Sequence, residues 1–271
     1  MNALAARRRH PAATALLLLI GLALVGTAYS LLAPKPAQAT ASAEETTNPE
    51  VGEDLFLANC ATCHGVQAEG TTYGPTLVGV GAASVDFQMG TGRMPSPGPN
   101  VQVPRQQEVK FTDQEIADIA AWVAALAPGP AIPQESDYTL EGDPDSSEYA
   151  HAVAEGGKIY RVNCAMCHNF AGSGGALTRG KYAPPLYGVE AKHIYEALVI
   201  GPQSMPVFND SNLTPEDKAK LIAYLKTVEN QPAVGGMSLG NLGPVSEGLF
   251  VWVFGLALMV ACAYWLGQKA A

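Results

Sequence analysis

Two pentapeptides of one design carry the chemistry of this chain: Cys60-Ala61-Thr62-Cys63-His64 and Cys164-Ala165-Met166-Cys167-His168. At this spacing two thiols can add to the two vinyl groups of one porphyrin, and the adjacent imidazole can take an axial position on its iron. Cys-x-x-Cys-His therefore reads as covalent attachment of a c-type haem. The macrocycle's shape sets both the spacing and the final His. A lone Cys-x-x-Cys would also suit a redox pair or a zinc site. Two copies, both ending in His, in a chain with an export segment, favour haem. The expected cofactors are two covalently bound haem c, held through Cys60, Cys63 and His64 and through Cys164, Cys167 and His168. The fifth cysteine, Cys262, lies in the last apolar run and is expected to be a small buried hydrophobe rather than a lipidation site or a ligand. No pair remains for a disulfide framework, so stability must come from cores, haems and membrane anchoring.

An electron-transfer haem needs a second strong axial ligand. A methionine thioether raises the reduction potential and leaves no open position for substrate. Met94 and Met205 are the expected sixth ligands, since each follows its haem motif and each precedes a proline. Met89 competes for the first iron, but only Met94 has the repeated Met-Pro. His151, at the end of a linker, and His193, in a polar stretch that looks helical, are both expected to be surface residues. Pro75 and Pro184 lie in loops expected to pass the proximal histidines. Backbone carbonyls there could accept from the second ring nitrogen of His64 and His168.

The elements that must hold these groups repeat. Gly52, Phe56, Asn59 and Cys60 match Gly156, Tyr160, Asn163 and Cys164 at identical offsets. Tyr73-Gly-Pro-Thr-Leu-Val-Gly-Val80 matches Tyr182-Ala-Pro-Pro-Leu-Tyr-Gly-Val189, and Met94-Pro95 matches Met205-Pro206. Thr112 with Glu115, and Thr214 with Asp217, open a helix in each copy by a capping-box pattern. Ile116, Ile119, Ala120 and Val123 then share one helical face, as do Leu221, Ile222, Leu225 and Val228. Each copy reads helix, haem motif, Pro/Gly-rich loop, Met-Pro, amphipathic helix. The predicted fold class is all-α, with two tandem haem domains over 50–127 and 151–231. Domains this small have marginal cores without help, and the haem would supply it. Between them, 128–150 holds four prolines and six acidic residues with no Lys or Arg, which predicts a solvated linker. The repeat breaks between Met94 and Thr112, where the first copy carries an extra Pro-rich stretch, 95–109. It flanks the expected ligand Met94, where an electron partner would approach.

Both ends read as membrane segments. Pro11–Pro34 is uncharged and follows Arg7, Arg8 and Arg9. Ala37-Gln38-Ala39 offers a signal-peptide cleavage pattern, but the run is near bilayer-spanning length, and a retained helix over 11–34 is preferred. Gly248–Gly267 carries no charge and covers roughly 30 Å as a helix. Trp252 lies near its start, and Tyr264 and Trp265 near its end, as an aromatic belt would place them. Lys269 follows it. Basic residues outside both runs put both termini in the cytoplasm and the acidic middle on the extracytoplasmic side. The chain's net charge is −9, and no nucleic-acid partner is expected.

Each unit resembles a class I cytochrome c domain, through its CxxCH, its G/A-P-x-L-x-G loop and its Met-Pro. The whole chain resembles the dihaem cytochrome cc subunit of actinobacterial-type menaquinol–cytochrome c reductases. That resemblance implies a cytochrome b subunit, a Rieske iron–sulfur subunit and an aa3-type oxidase as partners. It implies an anchored electron-transfer subunit of a reductase, classed as a translocase, with no catalytic site of its own. A free-standing tethered shuttle is the alternative. A dihaem peroxidase would need one open iron, and two available methionines argue against it.

Overall fold

The structure, a computed structural model, describes residues 11–32, 47–98, 100–170, 172–230 and 244–269. Arg7, Arg8, Arg9 and the Ala37–Ala39 cleavage pattern lie outside the described residues. The chain divides into two units, Met1–Thr46 and Thr47–Ala271.

In the first unit, α1 (Pro11–Leu32) is a 22-residue helix. Its side chains Leu16, Leu18, Leu19, Leu22 and Leu24 are all exposed. A helix apolar all round suits lipid rather than water.

The second unit contains two modules built alike. The first comprises α2 (Pro49–Asn59), α3 (Ala61–His64), α4 (Ala82–Gly90) and α5 (Asp113–Leu126). Asn48 caps α2 by accepting from the backbone N–H of Glu50 and Val51. Its own N–H donates to Asp118 on α5 at 2.7 Å, which ties the start of one helix to the side of the other. Thr112 and Glu115 form the reciprocal capping box that the sequence predicts. The core gathers Phe56, Ile116, Ile119, Ala120 and Val123, all at most 2 % exposed. Gly52 lets the helices touch: a Cβ there would sit 2.1 Å from the carbonyl oxygen of Asp118.

The second module follows a short turn, α6 (Glu135–Tyr138). It comprises α7 (Ser147–Asn163), α8 (Ala165–His168), a two-stranded hairpin of β1 (Gly175–Ala176) and β2 (Tyr182–Ala183), α9 (Ala191–Ile200) and α10 (Pro215–Asn230). Gly156 plays the part of Gly52, with a Cβ there 2.0 Å from the Lys220 carbonyl oxygen. Tyr160, Leu221, Ile222 and Leu225 form this core. Val228, expected on the same face, is only half-buried.

Two elements depart from the repeat as read from sequence. Helices α4 and α9 stand between the Pro loop and the Met-Pro in both modules. The segment 128–150 is also not a free tether. Pro130 accepts from the Ala83 N–H at 3.1 Å, Ile132 packs on the first core, and Tyr138 packs on the second. Helix α7 already begins at Ser147, inside the expected linker.

The last helix, α11 (Pro244–Lys269), contains Gly248–Gln268. This stretch of 21 residues has a mean hydropathy of 2.2 and is 0 % buried, long and apolar enough to cross a membrane. Cys262 is exposed on it rather than buried within the protein, a correction to the sequence expectation. An apolar helix with no protein packed over it leaves its small side chains on the outside.

Candidate haem sites

Each attachment motif is a single helical turn that continues from the module's first helix. The Cys60 N–H donates to Phe56 O and the His64 N–H to Cys60 O; the Cys164 N–H donates to Tyr160 O and the His168 N–H to Cys164 O. The chain must then reverse. Gly65 does so at φ +82° and Asn169 at φ +66°, conformations with positive φ that glycine and asparagine tolerate best. In the second module the Tyr160 hydroxyl donates to the Asn169 carbonyl at 2.6 Å and holds the turn.

The returning Pro loops orient the imidazoles. His64 Nδ1 lies 2.8 Å from Pro75 O, and His168 Nδ1 lies 3.0 Å from Pro184 O. With the proton on Nδ1, each ring donates to a carbonyl and turns the Nε2 lone pair outward, the tautomer a metal-bound histidine needs. Burial holds His168 below the usual histidine range, against the opposing pull of the Pro184 bond, so its ring stays neutral and able to ligate. Gly74 leaves room for this packing, since a Cβ there would meet Cys63 O at 2.8 Å and His64 Cε1 at 3.1 Å.

The thiols do not suit disulfide exchange. Burial pushes Cys164 up to about 12, with the neighbouring Cys167 adding to it, and raises Cys60 as well. A redox Cys-x-x-Cys needs a depressed thiol. Among the described residues, no group of three or more His, Cys, Asp and Glu ligands includes these cysteines. Thioether attachment makes no such demand, so the residues present fit a covalently held haem.

Met94 and Met205 are half-buried, each packed against the core that also receives its module's first cysteine, Cys60 or Cys164. The Met94 loop is pinned from both sides: the Met94 N–H donates to Gln88 O at 2.8 Å, and Gln106 Nε2 donates to Pro95 O at 2.6 Å. Met89, the competing candidate, is 5 % exposed within the first core. His151 is a solvated side chain, 73 % exposed. His193 is not: it is 8 % exposed, a correction to its surface reading. It lies on α9 where that helix packs against α4, with Glu196 2.7 Å away.

The extra stretch 95–109 also has a defined place. Gln102 makes a two-way amide bond with Tyr182 of the second module, donating to its carbonyl and accepting from its N–H at 2.8 Å each. Gln203 makes a similar but longer pair with Val103, at 3.2 and 3.3 Å. The sequence placed this stretch where an electron partner would approach; its partner in the structure is the other module.

Residues 49–127 match the family model of cytochrome c, and residues 151–225 that of cytochrome C oxidase, cbb3-type, subunit III. The chain is thus a tandem of cytochrome c domains on a mostly helical frame, and such domains imply covalently bound haem c. The comparison with whole proteins is narrower. The cytochrome bc1 complex cytochrome c subunit of Corynebacterium efficiens is 40 % identical, covering 97 % of this chain and 90 % of that protein. That of Corynebacterium diphtheriae is 38 % identical, covering 97 % and 95 %. That of Mycobacterium leprae is 38 % identical, covering 94 % and 87 %. The chain belongs to the family of cytochrome bc1 complex cytochrome c subunits, an electron-transfer component of a reductase complex.

Proposed function

We propose that this chain carries electrons from a Rieske iron–sulfur subunit to an aa3-type oxidase, as the dihaem subunit of a quinol–cytochrome c reductase that also contains cytochrome b. The observation that carries this reading is the pair of complete attachment sites on one anchored chain of the bc1 family. In other words, one polypeptide holds the equipment of a fixed and a relay cytochrome.

Cys60, Cys63, His64 and Met94 would hold the first haem, and Cys164, Cys167, His168 and Met205 the second. Bound haems would supply one-electron Fe(III)/Fe(II) chemistry. The protein's contribution would be to keep other ligands away from the iron. The Pro75 and Pro184 carbonyls fix the imidazoles, the pinned Met-Pro loops fix the thioethers, and buried apolar cores keep water away. Two helices, over 11–34 and 248–267, anchor the chain with both termini in the cytoplasm and the haem domains outside.

Extraction in a gentle detergent tests this. The chain should copurify with a cytochrome b and a Rieske subunit, and its intact mass should exceed the polypeptide by two haems. Isolation of the chain alone under conditions that keep the oxidase intact would overturn the reductase assignment. Rapid carbon monoxide binding by the native reduced protein would overturn Met94 and Met205 as ligands.

A further inference from the structure

We propose that Asp86, Lys192, His193 and Glu196 form a proton-loaded clasp that fixes the first cytochrome domain against the second. One exchangeable proton is held between the carboxyl groups of Asp86 and Glu196.

Asp86 lies on α4 of the first domain; the other three lie on α9 of the second. Lys192 Nζ is 2.7 Å from Asp86 Oδ2, and His193 Nδ1 is 2.7 Å from Glu196 Oε2. Glu196 is 0 % exposed and Asp86 8 %. Glu196 Oε1 is buried and has no hydrogen-bond donor in the structure, whereas Asp86 Oδ2 has the Lys192 ammonium at 2.7 Å. The two carboxyl groups face each other, with an oxygen of each within 4.8 Å of the other. One proton on Glu196 Oε1, donated to Asp86, gives that oxygen a partner and removes the second negative charge. The chain of contacts is then complete: the lysine ammonium pairs with the Asp86 carboxylate, which accepts from the Glu196 hydroxyl, while Glu196 Oε2 accepts from the His193 ring. Its net charge is zero, as a buried network requires.

The same three acidic and imidazole groups could offer ligands to a divalent cation, their donor atoms all lying within 4.8 Å of one another. Charge decides against it. A divalent ion beside the Lys192 ammonium would face only two carboxylates, leaving surplus positive charge in a buried site. The surroundings agree with the proton. Burial first, then the Asp86 contact, pushes Glu196 up to about 10. Lys192 opposes that shift and Glu190 adds to it. Burial, with Lys192, holds His193 below its ordinary range. Asp86 and Glu190 oppose that shift, while Arg105, from the 95–109 loop, adds to it. Tyr138 of α6 also faces the cluster, close enough to feel Lys192, Glu190 and Glu196.

The sign of the pH dependence follows. Once apart, the domains leave Glu196 and His193 near their ordinary values of 4.5 and 6.5. Docked, Glu196 keeps a proton and His193 does without one. Between those two values the docked and open forms bind equal numbers of protons, so docking is flat. Above 6.5 the docked form binds one more, and the docked-to-open ratio falls by up to about tenfold per pH unit until Glu196 itself ionises.

The test uses the full chain with its haems bound. Infrared spectra at neutral pH should show a protonated-carboxyl C=O band that Glu196→Gln removes. Amide exchange in α4 and α9, corrected for intrinsic rate, should quicken by up to tenfold per pH unit above neutrality in the native protein. Glu196→Gln should stay protected and nearly pH-independent, because its amide donates to Asp86 as the carboxyl hydroxyl does and still accepts from His193. Asp86→Ala should exchange fast at every pH. Unchanged haem spectra in each variant show that the separate domains have folded and keep this test apart from the assignment of the haems. No carboxyl band, or a Glu196→Gln variant that loosens with pH like the native chain, would overturn the clasp. So would stoichiometric Co(II) binding that Glu196→Gln abolishes.

Discussion

The two cytochrome domains share one plan, and their differences gather on one side. Phe56 meets Trp122 with ring centroids 4.5 Å apart; Tyr160 meets Tyr224 at 5.7 Å, ten residues after Thr214 just as Trp122 is ten after Thr112. The glycines at the helix crossings, the histidine–carbonyl bonds and the Met-Pro loops also correspond. The departures are two insertions. The first domain is longer after its methionine, over 95–109. The second is longer between its histidine and proline, 16 residues against 11, and forms the β1–β2 hairpin there. The insertions meet each other, Gln102 on Tyr182. The insertions serve the neighbouring domain.

Breaking the shared plan should cost most. Gly52→Ala and Gly156→Ala each drive a methyl group into a backbone carbonyl. Each should destabilise its own domain by about 1–3 kcal/mol or more. Thermal unfolding followed at each domain's haem absorbance should show one domain shifted and the other not. A shift of both together would mean the domains are not separate cores.

Met94→Leu and Met205→Leu come next. Each should remove part of the sulfur-to-iron charge-transfer band of the oxidised protein and lower one of two potentials, with the other unmoved. Redox titration of the two variants would then assign a potential to each domain. If Met89→Leu also weakened the band, the alignment of the two methionine loops would be wrong for the first domain.

Tyr160→Phe makes the second domain imitate the first and should lose about 0.5–1.5 kcal/mol, the net worth of the hydroxyl's bond to Asn169. Phe56→Tyr, the reverse exchange, should also destabilise, because Gly65 already makes the turn that Tyr160 supports. A stabilised Phe56→Tyr would show the two turns to be interchangeable.

Gln102→Ala should have the smallest effect. Two solvent-accessible amide bonds are lost, worth about 1 kcal/mol or less together. Haem spectra and domain melting should stay put, while hydrogen exchange at Tyr182 quickens. No change at Tyr182 would leave the insertion free for an outside partner.

The attachment motifs and the helix starts were legible because they are local. A five-residue motif and a capping box each declare themselves within a few positions, and their duplication raised each reading above coincidence. Even the Pro75 and Pro184 carbonyls followed from loop order. Helices α4 and α9 did not, and the reason is visible at their ends. Neither has a side-chain cap: α4 starts from Gly81 at φ +78°, and α9 from Glu190 with no capping bond. Without Ser, Thr, Asp or Asn at the N-cap, sequence gives little start signal. His193 was misplaced for a related reason. Glu190, Lys192 and Glu196 make its stretch look solvated, and only Asp86, over a hundred positions away, reveals that the charges cancel one another. The acidic linker misled in the same way, since its composition is that of a tether but Pro130, Ile132 and Tyr138 are gripped.

That grip has a kinetic consequence. Ile132 rests on the first core and Tyr138 on the second, so only a few residues separate the two footholds. Should the domains part, the chain from 133 to 147 would still span only about 20 Å on average as a flexible coil. Each domain would then see the other at an effective concentration of roughly millimolar, and reassociation becomes an intramolecular step. A contact too weak to join two separate proteins suffices here, and its weakness permits opening and return many times without either partner being lost.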